Sequence, residues 1–337
     1  MTTSDSVFRS TSTKEKPLRV IIALTLLVLS LVTAVLVQLK ITLVNDSAFQ
    51  HVLWQLTLPT LATAFLVGSA LTVSAGCLQV LLQNPLADPG IIGISSGASL
   101  MAAAVLLSGF GAGYIAVQYW LPLASFLGAL VSIFVIIKIA ARLRHSPMAV
   151  ILAGIAISTM SGAIVAWLYY FADAQAMRNL TFWLMGSLYQ SDPKVLLVGA
   201  PILLLSIGFI LSKTTQLNQL YLGSSNAIAA GINVQSLQNR LLIACALAVG
   251  CAVSLAGSIA FIGLLVPHFL RFIIGYDNRW LIPASGLLGG ALLLLVVLIT
   301  EVWAVTTLPV SMLTASIGGP IFIWALLRGQ FRPAGGR

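Results

Sequence analysis

Gly76-Cys77-Leu78-Gln79-Val80-Leu81-Leu82-Gln83-Asn84-Pro85-Leu86-Ala87-Asp88-Pro89-Gly90-Ile91-Ile92-Gly93-Ile94-Ser95-Ser96-Gly97-Ala98 is the stretch whose reading decides the fold. Gln83, Asn84 and Asp88 interrupt two apolar runs, and Pro85 and Pro89 each lack a backbone N–H, so the chain must reverse around Asn84 to Gly90. The apolar run that resumes is crowded with Gly93, Ser95, Ser96, Gly97, Ala98 and Ser99. Small residues at that density allow close backbone approach, or let a helix face something other than lipid.

Outward from this stretch the chain is overwhelmingly apolar. Of its 337 residues 59% are hydrophobic and 7% charged, so most of it cannot face water. The class is an all-α, polytopic membrane protein. Cys77, Cys245 and Cys251 lie in apolar runs without a C-x-x-C pair and read as small buried hydrophobes.

Met1 to Arg19 is polar, Ser/Thr-rich and basic, and reads as a disordered cytoplasmic tail. A single membrane domain over 20–327 follows, with a short basic tail over 328–337. Val20 to Leu39 is enough to cross a hydrocarbon core of roughly 30 Å, and is long for a signal peptide without an A-x-A site. Further apolar segments near 52–82, 91–108, 119–141, 148–171, 195–212, 240–257, 259–274, 281–300 and 310–327 make ten candidate spans. The third and eighth are short, and a re-entrant course is the alternative for each. An even number of spans puts both termini on one side.

Placing the N-terminus inside assigns Arg9, Lys14, Lys16, Arg19, Lys138, Arg142, Arg144, Lys213, Arg240, Arg271, Arg279, Arg328, Arg332 and Arg337 to the cytoplasm. Of the 17 basic residues, that leaves Lys40, Arg178 and Lys194 outside. The net charge of +9 is therefore a topology signal, and nucleic acid is not an expected partner.

No G-x-x-x-x-G-K-[ST] sequence occurs, so the chain carries no phosphate-cradling ATP site and is not read as an enzyme. Intramembrane acids are scarce. Glu301 stands alone at the end of the ninth span, which argues against an ion-coupled secondary transporter. His51, His145 and His268 are far apart and suggest no metal site. A membrane scaffold that moves no solute is a further alternative.

Between Lys213 and Asn239 lies the longest polar segment of the membrane domain. Leu220, Leu222, Ile228, Ile232 and Leu237 recur within it, and Ser224 or Ser225 is placed to cap a helix from Asn226 to Ala230 that Gly231 ends. Such a helix on the cytoplasmic face suits partner docking.

These residues carry a resemblance. Asn84-Pro85-Leu86-Ala87-Asp88-Pro89, continued by Gly93 and Ser96-Gly97-Ala98, resembles the signature of the FecCD family of ABC-importer permeases. Trp183-Leu184-Met185-Gly186-Ser187-Leu188 is similar to its outer-loop motif. Leu222-Gly223, Ala227, Ala230 and Gly231-Ile232-Asn233-Val234 fit its cytoplasmic coupling pattern. Gly263-Leu264-Leu265-Val266-Pro267-His268 with Arg271, and Leu308-Pro309-Val310 with Gly318-Gly319-Pro320, complete the series. The resemblance implies ten helices per subunit in the bacterial inner membrane, surrounded by lipid. It also implies a homodimer with a central pathway, two cytoplasmic ATP-binding subunits that use ATP and Mg, and a periplasmic substrate-binding protein. It assigns ATPase coupling to Leu222, Gly223, Ala227, Ala230 and Gly231. An inner constriction is expected at Ser146, Pro147 and Met148, beside a small-residue face of Gly154, Ser158, Ser161 and Gly162 that serves either the pathway or packing.

The chain departs from the pattern in three places. Leu58-Pro59-Thr60 replaces Leu-Pro-Arg, Val296 and Thr300 replace an Asp/Arg pair on the ninth helix, and Ser224 and Ser225 replace acids in the coupling segment. No cluster of Arg or Lys marks the spans as an anion site, so selection is expected from the external binding protein. Over the whole chain the likeness is read as nearest to the molybdate/tungstate permeases of this family, with iron-siderophore, haem or cobalamin permeases as the alternative.

Overall fold

The structure, a computed structural model, describes residues 4–42, 46–107, 114–143, 146–189, 192–303 and 309–327. Arg144, Leu308 and the C-terminal tail 328–337 lie outside the described residues. The chain forms helices α1 (Ser4–Thr42), α2 (Asp46–Val52), α3 (Leu58–Leu81), α4 (Ile94–Leu107), α5 (Tyr114–Arg142), α6 (Pro147–Phe171) and α7 (Ala174–Leu184). It continues through α8 (Pro193–Ser212), α9 (Thr214–Tyr221), α10 (Ser224–Ala229), α11 (Val234–Ala256), α12 (Ile262–Ile274), α13 (Asn278–Trp303) and α14 (Val310–Leu327). Each of the ten apolar segments becomes a helix. The stretch read as a disordered N-terminal tail is helical from Ser4, continuous with the first span through Pro17.

Among the described residues seven helices are long and apolar enough to cross a membrane. Three of the ten segments are not among them: the tenth, α14, described over 18 residues, and the third and eighth, where α4 has 14 residues and α12 has 13, about 20 Å each at 1.5 Å per residue. Each follows a non-helical stretch, Gln83 to Gly93 before α4 and Gly257 to Phe261 before α12. The short helices sit where the sequence turns to Gly, Pro and Ser.

Helix α3 is the centre. In its window 83% of residues are buried, against 6% in α1, which lies at the periphery. Lipid tails are as apolar as leucine, so helices associate here through close packing and interhelical hydrogen bonds. At the α3–α13 crossing, a Cβ on Gly68 would stand inside the Gly289 carbonyl. The gap this leaves is used by hydroxyls: Ser69 Oγ donates to Gly286 O at 2.9 Å and Thr72 Oγ1 to Ser285 O at 2.8 Å. Gly97 of α4 and Gly128 of α5 approach in the same way, each blocking the other's Cβ, and Ser132 Oγ donates to Gly93 O at 2.7 Å.

These contacts also set direction. Gly68 meets Gly289 while Thr72 meets Ser285, so α3 and α13 are antiparallel. Gly263 meets Leu71 and Ala75 whereas Arg271 reaches Gln79, so α12 runs parallel to α3. Both relations follow from an alternating in–out course. Of the departures noted in the sequence, Thr300 replaces a charge with a local bond, its Oγ1 donating to Val296 O at 2.8 Å.

Gly97→Val should overpack the α4–α5 crossing and destabilise by at least about 1–3 kcal/mol, whereas Gly162→Val, with nothing within 4 Å of its Cβ position, should not. Thermal unfolding of the two purified variants in one detergent measures this; equal midpoints would contradict the packing described.

Candidate functional site

The signature turn is held by its own side chains. Asn84 Oδ1 accepts from Leu86 N at 2.9 Å and Asp88 Oδ1 accepts from Gly90 N at 2.8 Å, the local side-chain bonding that lets Asx residues replace helix bonds lost to proline. The turn does not stay at the end of α3 as a simple reversal. It folds back along that helix until Asp88 Oδ2 comes 2.9 Å from the Cβ position of Gly263, a position that also meets Ala75 and Leu71. Those residues stand six to ten positions before Leu81, about 9–15 Å up the helix. The expected cytoplasmic reversal is thus a re-entrant segment, and α4 starts at Ile94, deep in the bundle, instead of at Ile91.

Helix α6 supports this segment. Ser146 caps it, accepting from Ala149 N at 3.1 Å, and Pro147 occupies its first turn, where a missing N–H costs nothing. Met148 beside them is 61% exposed. Gly154 is pressed against the backbone of Ile92, whose carbonyl would lie 2.5 Å from an added Cβ. Ser158 Oγ accepts from Ser96 Oγ at 2.9 Å, and Ser161 is buried. Within one chain the small-residue face therefore packs, with Gly162 alone of the four open. The face of α6 left uncovered is the large one: Leu152, Ile155, Met160, Trp167, Tyr170 and Phe171 are all exposed.

At the end of α11 away from Val234, Trp183 to Leu188 is knitted to two distant elements. Ser187 N donates to Ala256 O at 2.8 Å, Val310 N donates to Gly186 O at 3.1 Å, and Ser311 Oγ donates to Ser258 O at 2.7 Å. Gly257, with φ +70°, lies against the Trp183 carbonyl, where no side chain fits. In α12, Pro267 packs near Gly76 and His268 meets the Phe272 ring edge-on at 5.0 Å.

The segment between Lys213 and Asn239 is ordered as two short helices and the start of α11. The expected helix Asn226 to Ala230 is displaced: α10 runs Ser224–Ala229, with Gly223 as its N-cap in place of a serine. At φ +112° Gly223 lets the chain turn sharply after α9. Gly231, at φ +78°, follows the helix as expected, and Asn233 starts α11 by accepting from Ser236 N at 3.0 Å. Ala227 is the buried anchor of α10. Leu222 and Ile228 are 65% and 64% exposed, and Ala230 and Gly231 are exposed with them. Two large apolar side chains at the tip of a polar segment form a surface fit for a partner.

Beside it, Asp277 is held down to about 2, first by the Arg279 guanidinium hydrogen-bonded to it and then by the Asn218 amide. Its contribution to stability is present above the ordinary carboxylate range near 4 and is lost as pH falls through about 2.

The sequence matches the FecCD transport family over residues 18–328. It is 41% identical over 297 residues to the hemin transport system permease protein HmuU of Yersinia pestis, covering 87% of this chain and 88% of that protein. It is 39% identical over 290 residues to the vitamin B12 import system permease protein BtuC of Vibrio vulnificus, covering 84% and 85%. Among solved structures it resembles an inward-facing metal-chelate type ABC transporter, with a TM-score of 0.81, 30% identity, and 92% and 99% of the two chains covered.

The seating of the re-entrant segment on α6 is directly testable. Gly154→Val should drive Ile92 and Gly93 off α6, so that a cysteine introduced at the exposed Ile91 reacts several-fold faster with a membrane-impermeant maleimide. An unchanged rate would show that the segment does not depend on this contact.

Proposed function

The chain belongs to the FecCD transport family, and from that premise we propose that it is the permease of an ABC importer for a metal chelate of the haem, cobalamin or iron-siderophore class. The observation that carries the reading is likeness over 84–87% of the chain to a haemin permease and a vitamin B12 permease, each near 40% identity. The molybdate/tungstate expectation finds no support in these relatives. Nor do the spans carry the cluster of Arg or Lys that an oxyanion would call for.

In this reading two copies of the chain enclose the pathway, and the uncovered apolar face of α6 is turned toward that shared space or the second copy. Two ATP-binding subunits dock on the cytoplasmic side against Leu222 and Ile228, and a periplasmic protein delivers the ligand. Gly223 and Gly231 shape the coupling segment, while Ser146, Pro147 and Met148 form the inner constriction. ATP use biases the inward and outward states, each tenfold change in their ratio requiring about 1.4 kcal/mol.

Proteoliposomes holding the chain, its ATPase and its binding protein should accumulate haemin, cobalamin or a ferric siderophore only when ATP is enclosed with the ATPase. Uptake without the ATPase, or uptake of molybdate in preference to all three chelates, would overturn the proposal. In the same system Leu222→Asp and Ile228→Asp should each reduce ATPase co-purification at least tenfold without lowering the thermal midpoint of the isolated permease.

A further inference from the structure

Helix α12 is short, parallel to the central helix, and in contact at both ends with segments outside the long helices. At its cytoplasmic end, α9 of the coupling segment is tied to the loop that joins α12 to α13. Asn218 Nδ2 donates to Asp277 Oδ1 at 2.7 Å, and Asn218 Oδ1 accepts from both the backbone N and the side-chain Nδ2 of Asn278 at 2.8 Å. Next to this joint, the rings of Tyr221 and Tyr276 stack with centroids 5.6 Å apart. Both rings cover the Arg271 guanidinium, at 5.7 and 5.9 Å. Arg271 is only 8% exposed, its Nε and Nη1 have no hydrogen-bond partner, and its Nη2 reaches Gln79 Oε1 at 3.3 Å.

At its other end, α12 begins against the re-entrant segment. Asp88 Oδ2 approaches so near Gly263 that a methyl group there would stand 2.9 Å from the oxygen. Between its two ends the helix lies along α3, with Pro267 near Gly76 and Gln79 Nε2 3.5 Å from Leu264 O.

We infer that α12 is the rod through which the coupling segment drives the re-entrant segment, with Asn218, Asp277 and Asn278 as its cytoplasmic joint and the Asp88–Gly263 contact as its inner end. The inference rests on the permease reading above. A displacement of α9 is passed to the end of α12 because the Asn218 amide holds Asp277 of the following loop by one bond and Asn278, the first residue of α13, by two, while Tyr221 stacks on Tyr276 and covers Arg271 of α12 itself; a packed helix moves as a unit. Arg271, clamped between two rings and Gln79, keeps the joint in register with α3. These are positioning residues. They touch no ligand, and they set how closely ATP use is tied to transport.

The geometry permits a reciprocal test. Asn218→Asp places two carboxylates against each other and should break the joint. Adding Asp277→Asn restores a complementary amide–carboxylate pair, with the acid on α9 and the three bonds remade. In the reconstituted complex, Asn218→Asp should keep ATPase co-purification and basal hydrolysis while lowering chelate transported per ATP at least tenfold. Asn218→Asp/Asp277→Asn should recover most of that loss. Asn218→Ala, which introduces no repulsion, gives the same readout if the aspartate variant fails to assemble. Transport per ATP unchanged in Asn218→Asp or in Asn218→Ala, or no recovery in the swap, would overturn the inference while leaving the permease reading intact. A wild-type complex that shows no ATP-dependent uptake would remove both.

Discussion

Within hydrocarbon a backbone N–H or C=O has no water to turn to, so the chain can leave the helix only where protein closes around it. The rest of this structure is arranged around two such departures, Gln83 to Gly93 and Gly257 to Phe261. The first lies against α5, α6 and α12, the second against the Trp183–Leu188 turn and α14, and bonds from their own turns and from these neighbours meet their polar groups. Asn84 and Asp88 bond their own turn, Ser132 meets the Gly93 carbonyl, and Ser311 meets that of Ser258. The price is paid in side-chain volume. Gly97, Gly128 and Gly154 stand where any Cβ would collide with the backbone that the departures bring close.

The same constraint links the candidate site to the fold. A turn that re-enters the bundle shortens the helix after it, and the short helices α4 and α12 each start beside a broken stretch instead of at a membrane surface. Movable parts and packed parts are therefore in contact. The 213–239 segment reaches α12 through the Tyr221 ring, 5.7 Å from Arg271, and α12 meets the signature turn through Gly263. If a partner binds at the two exposed apolar side chains Leu222 and Ile228, as proposed, that continuity is what would carry its effect to the interior.

Much of this was legible in the chain. Ten apolar runs gave the ten helices, because exclusion of charge is a local property, and the positive-inside bias gave their alternation, which the antiparallel α3–α13 and parallel α3–α12 contacts repeat. The proline and glycine positions marked where helices stop. The start of α10 was missed by two residues, because Gly223 at positive φ turns the chain sharply where a serine cap was expected. Gly154, Ser158, Ser161 and Gly162 were legible as a small face, but its use was not. A small residue suits packing and pore lining equally, and only the fold brings Ile92, Gly93 and Ser96 against Gly154 and Ser158.

By itself, then, the sequence determined the class, the positions of the apolar helices and the family motifs, since each depends on composition or short-range spacing. Tertiary structure alone decided that Asn84 to Gly93 folds back beside α3. It alone showed that Asp88 meets Gly263 and that Asn218 grips the loop before α13. Those pairs stand some 60 to 175 positions apart, as the numbering shows, and no local pattern records a contact that arises only when separate helices are packed together.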